Sequence, residues 1–125
     1  MTMEYISKES IVVLKSDFQD SYQLLWNENS SWKRVTITKI YVHPGKTNNR
    51  HSHDTSEQIW VALSGTGVLL LENEKTKVFS EGDVVRFVEG EIHGVTNQTD
   101  HEFNYLSNTS PGVNFRYAYE PQKDF

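Results

Sequence analysis

Short apolar runs separated by turn residues follow one another along the chain, with almost no stretch that repeats at helical spacing. Residues 11–14 and 22–26 are the first predicted strands, and Asn27-Glu28-Asn29-Ser30-Ser31 between them and the next strand reads as a turn. A long β-rich segment covers residues 34–43. Its apolar positions change phase across Lys39: Val35 and Ile37 share one parity, Ile40 and Val42 the other. A bulge near Lys39 would reconcile the two faces. Pro44-Gly45 stops the strand, and a polar loop over residues 46–50 follows. Residues 58–63 are apolar at nearly every position, as expected of a strand covered on both faces. Further strands are predicted at 68–71, 77–79, 84–88, 92–96, 103–106 and 115–119, with turn chemistry at Ser64-Gly65-Thr66-Gly67 and Ser80-Glu81-Gly82-Asp83. Residues 16–19 offer at most one helical turn. Strands this short at such close intervals predict an all-β sandwich or barrel.

Composition narrows the function. A chain of 125 residues suits one domain over its whole length, with a barrel core at about 33–107, N-terminal strands within 4–26 and a loose polar tail at 120–125. The net charge is -5, and the twelve Lys and Arg are scattered, so a nucleic-acid partner is not expected. The longest apolar run, residues 59–63, falls far short of the ~20 residues that span a bilayer, and no membrane partner is expected. The first residues carry no basic-then-apolar export signal, and the cytoplasm is the expected location. There is no cysteine, so a metal would need nitrogen and oxygen ligands.

Five histidines stand at 43, 51, 53, 93 and 101. His51 and His53 are two apart, which on an extended strand turns both imidazoles to one face. Alone, such a pair is weak evidence of a metal site. The surrounding pattern is stronger: Gly45, five residues, His51-Ser52-His53, four residues, Gln58, six residues, Gly65. A second pattern runs Gly82, five residues, Val88-Glu89-Gly90, two residues, His93, three residues, Asn97. The two together closely resemble the paired motifs of the cupin family. That resemblance implies a double-stranded β-helix (jelly-roll) barrel holding one divalent metal, with His51, His53 and His93 pointing inward as ligands. Iron, manganese, nickel and zinc all suit such a site. The resemblance also implies a homodimer through outer strands, to which residues 11–14 could contribute. Gly45, Gly65, Gly82 and Gly90 fall at predicted reversals, where a positive φ is cheap only for glycine.

Two positions depart from the family pattern. Val88 stands where the second motif has proline, and Gln58 stands where most metal-binding members have a glutamate ligand. Gln58 could bind through its amide oxygen, Glu57 could replace it, three histidines could suffice, or the pocket could be metal-free with Gln58 only hydrogen-bonding a ligand. Three neutral imidazoles and an amide would leave a divalent ion its full charge, favouring a substrate that chelates as an oxyanion. Trp60 and Ala62 share parity with Gln58 and are candidates for pocket wall; Phe87, Tyr105 and other aromatics could line the pocket or fill the core. Glu57 and His43 are the candidate proton-moving residues. His101 reads as surface, and Arg86 could meet an anion or form an outward salt bridge. The expectation is a metal-dependent enzyme on a small, oxygen-rich, chelating substrate, of the dioxygenase, isomerase or cyclase kind. A non-catalytic ligand-binding module is the alternative.

Overall fold

The computed structural model describes residues 3–119, so the expected tail at 120–125 lies outside the described residues. Ten strands run in chain order: β1 (Val12–Lys15), β2 (Gln19–Leu25), β3 (Thr36–Val42), β4 (Thr47–His51), β5 (Glu57–Ser64), β6 (Thr66–Leu71), β7 (Thr76–Ser80), β8 (Val84–Phe87), β9 (His93–Thr96) and β10 (Phe103–Ser110). They form a six-stranded sheet, β1-β2-β3-β10-β5-β8, and a four-stranded sheet, β4-β9-β6-β7. The strand pairs are antiparallel. This is the expected all-β double-stranded β-helix.

The apolar core lies between the sheets. Trp60 and Ala62 of β5, Tyr105 and Phe103 of β10, and Ile40 and Val42 of β3 meet Leu69, Phe79 and Val95 from the smaller sheet, with Phe87 of β8. Trp60 is the centre: its ring stacks on Tyr105 at 4.3 Å and meets Phe87 edge-on at 5.0 Å. Close packing of this kind depends on glycine at one point in particular. A Cβ on Gly94 in β9 would sit 2.7 Å from the Asn48 carbonyl oxygen and 2.9 Å from the Asn49 carbonyl carbon, both backbone. Glycine therefore lets β9 lie against β4. The four glycines expected at reversals all have positive φ, from 73° at Gly45 to 91° at Gly82.

Several local expectations are corrected. Along β3 the buried positions are Thr36, Thr38, Ile40 and Val42 in strict alternation, so no bulge interrupts Lys39. The irregularity lies instead in the neighbouring strand, between Gln23 and Leu25 of β2. Val35 and Ile37 are only half-buried, because threonines and not aliphatics face inward at that end of the barrel. The polar loop expected over 46–50 is strand β4, paired with β9. β5 is buried on one parity only, with Leu63 exposed, so its apolar run is not covered on both faces. Residues 115–119 do not form a strand: Phe115–Ala118 is a 3-10 turn. No helix among the described residues is long and apolar enough to cross a membrane.

Candidate metal centre

β4 and β9 pair so that His51 lies directly opposite His93. β4 ends at His51, so the extended-strand argument for the pair at 51 and 53 does not apply as expected. The chain beyond it is held another way, by the Gly90 N–H donating to the His53 carbonyl at 2.8 Å. This bond ties the first motif to the turn of the second. The three rings converge, with centroids 4.6 Å apart for His51–His93, 5.1 Å for His51–His53 and 5.3 Å for His53–His93. One nitrogen from each lies within 4.8 Å of the others, the arrangement a single ion requires.

The outer nitrogens settle which atoms face the centre. His51 Nδ1 is 2.7 Å from the Asn49 carbonyl, and His93 Nδ1 is 2.9 Å from the Glu91 carbonyl. A carbonyl only accepts, so both Nδ1 atoms carry the hydrogen and both Nε2 lone pairs are free. His93 Nε2 is buried without a hydrogen-bond partner. An orphaned lone pair beside two further imidazoles fits a divalent cation. His93 is further braced by stacking on Phe87 at 4.4 Å and 14°. Burial, with its backbone hydrogen bond opposing and His51 and His53 adding, lowers the His93 pKa to about 4. Burial also lowers that of His53. Imidazoles held neutral in this way are the form that binds metal.

His51 and His53 open onto a cavity of about 460 Å³, also lined by Gln58, Trp60 and Tyr105. That volume suits a small organic ligand. Gln58 lies within it, its amide held at both ends. Oε1 accepts from Trp60 Nε1 at 3.0 Å, and Nε2 donates to Thr109 Oγ1 at 3.0 Å. An indole N–H can only donate, so the oxygen must face Trp60, leaving it one further lone pair.

A general sequence model of the cupin domain matches residues 39–107, just over half of the chain. The chain belongs to the cupin family. No curated protein matches this cupin. Among solved structures it is similar to a conserved double-stranded β-helix protein from Klebsiella pneumoniae, 20% identical over 89% of this chain and 92% of that one, with a TM-score of 0.72. It is also similar to the polyketide cyclase RemF from Streptomyces resistomycificus, at 17% identity, 88% and 80% coverage and a TM-score of 0.76. A predicted oxalate decarboxylase from Thermotoga maritima aligns at 22% identity over 85% and 97% of the two chains, with a TM-score of 0.72. At such identities the likeness is one of fold.

The remaining site expectations divide. Tyr105 and Trp60 line the cavity of this cupin, whereas Ala62 and Phe87 belong to the core behind it. Glu57 is corrected: strand alternation turns it to the outer face, where Arg86 Nε donates to it at 2.8 Å. That same pair disposes of Arg86 as an anion contact. His43 is corrected too, being drawn to Asp20 at 3.2 Å and not among the cavity's lining residues. His101 is exposed, as expected, 3.2 Å from Asp100. Asn97, the last residue of the second motif, is structural: its amide donates to the carbonyls of Val42 and His101.

On the opposite wall, Phe115 and Tyr117 are among the aromatics the sequence offered for the pocket or the core, but as part of a strand, and Tyr119 was not singled out. The 3-10 turn at Phe115–Ala118 and Tyr119 close one side of the cavity, with Phe115 5.4 Å from His53. Arg116 anchors this segment through two bonds to Glu28, at 2.8 and 2.7 Å, and packs over Trp26. No periodicity announces such a turn.

Proposed function

We propose that this cupin is a metal-dependent enzyme acting on a small, oxygen-rich, chelating molecule. The observation that carries the reading is the convergence of three imidazoles, two of them with Nδ1 bonded to a backbone carbonyl, at the edge of a cavity. The fold is shared with a polyketide cyclase and a predicted oxalate decarboxylase, which supports action on small oxygenated molecules. His51, His53 and His93 would hold the ion, and the free lone pair of Gln58 is the proposed fourth, neutral donor. When bound, a divalent ion there supplies Lewis-acid polarisation of the substrate's oxygens.

The protein's own groups then orient and enclose the substrate. Trp60 and Tyr105 offer flat apolar surface, and the segment ending at Tyr119 excludes water from one side. Among the described residues lining the cavity there is no carboxylate. Burial raises the Tyr119 phenol above its ordinary pKa, so this hydroxyl remains protonated and available as a hydrogen-bond donor near neutral pH.

Gln58→Glu tests the fourth donor. A carboxylate keeps the bond from Trp60 and can accept from the Thr109 hydroxyl. If position 58 touches the ion, the added charge raises zinc affinity about tenfold or more in equilibrium dialysis. Unchanged affinity would place Gln58 outside the coordination sphere. As for catalysis, turnover must disappear when a chelator removes the metal. Ligand affinity that survives chelation, with no turnover, would make the protein a binding module instead.

A further inference from the structure

One wall of the barrel interior is built of neutral polar side chains. Gln19, Ser21 and Gln23 alternate inward along β2, beside Thr36 and Thr38 of β3 and Ser107 and Thr109 of β10, all buried. The strand register aligns Gln23, Thr38, Ser107 and Trp60 in one row across four strands. A barrel that needed only stability would place aliphatic side chains here, since buried polar groups add nothing unless they are paired. Two of them are not fully paired. Gln19 is 5% exposed and lines the cavity; its amide nitrogen donates to the Tyr119 hydroxyl at 2.5 Å, but its Oε1 has no partner. Gln23 Oε1 is likewise buried and unpaired, while its nitrogen donates to Ser21. An acceptor left in this state costs about 1–3 kcal/mol, a cost that a donor entering from the cavity would relieve.

Charge is missing from the same wall. Among the described residues, the only charged one lining the cavity is Arg50, and its guanidinium is committed elsewhere, to the carbonyls of Leu71 and Lys75 and to Glu74. A carboxylate or phosphate reaching this side would be desolvated with no cation to meet it. A hydroxyl entering here would meet a neutral polar wall formed by Gln19, Ser21, Thr38 and Ser107, all of which line the cavity.

We infer that the cavity selects a substrate with two unlike ends, a chelating end toward the histidines and a neutral hydroxyl-bearing end received by Gln19. The inference rests on the metal-dependent reading above and adds the chemistry of the substrate's far end. Gln19 becomes a specificity-determining residue, placed by its bond to Tyr119.

Three hydroxypyranones that share one chelating group test it: allomaltol, kojic acid and comenic acid carry methyl, hydroxymethyl and carboxylate at the same ring position. Titrated calorimetrically into the zinc-loaded protein, with zinc content checked afterwards, kojic acid is expected to bind about tenfold tighter than allomaltol. Comenic acid is expected to bind more weakly than either. Gln19→Leu should bring kojic acid down to the affinity of allomaltol. Equal binding of the three, a preference for comenic acid, or no binding to a protein that keeps its zinc overturns the inference while leaving the metal centre intact. A protein that takes up no zinc overturns the underlying reading itself.

Discussion

His93→Ala is expected to abolish stable zinc binding, lowering affinity by well over the 10- to 100-fold that losing an outer hydrogen-bond partner of a metal ligand costs. The ring is buried with an unpartnered Nε2, so nothing else among the described residues competes for that lone pair. The substitution also leaves a cavity beside Phe87 and Trp60, which alone lowers stability. His51→Ala separates the two effects, because His51 is only half-buried and its removal opens little space. Equilibrium dialysis should show both variants losing zinc, with thermal unfolding of the metal-free proteins showing the larger penalty at position 93. Retention of wild-type zinc affinity by either variant would remove that histidine from the centre.

Trp60→Ala is expected to cost about 3–5 kcal/mol in urea denaturation. That is a large part of the ~5–15 kcal/mol that typically holds a domain together. The ring meets Tyr105, Phe87, Phe79 and His93, and its N–H holds the Gln58 oxygen. Trp60→Phe keeps most of the contact area and loses the hydrogen bond, so a cost nearer 1 kcal/mol is expected. A loss below about 1 kcal/mol for Trp60→Ala would mean that Trp60 is not the keystone of the core.

Much of this was legible in the sequence, for identifiable reasons. Short strands at closely spaced turns pointed to an all-β sandwich or barrel, the resemblance of the paired motifs to cupins narrowed this to the barrel, and the four glycines at reversals all take positive φ. The three histidines were singled out through the resemblance of their spacing to the cupin motifs, the pair at 51 and 53 being weak evidence alone. What failed was the assumption that apolar side chains face inward. Along β3 the inward positions include Thr38, which lines the cavity, and Thr36, whose hydroxyl is bonded to the Val113 backbone. A ligand-binding interior breaks the pattern from which interiors are read. Glu57 and His43 were attractive as bases from proximity in sequence, but alternation and the Asp20 contact turn them away. Gln19 and Tyr119, 100 positions apart, share no local signal, and only folding brings them together.

The central claim is that His51, His53 and His93 hold one divalent ion. Its most direct test is the metal content of the purified, unmutated protein by elemental analysis, after stripping and reloading with zinc, beside a His51→Ala/His93→Ala variant. The account predicts a single ion per chain in the former and none in the latter. An unmutated protein that retains no divalent metal, or a double variant that retains as much, would contradict it.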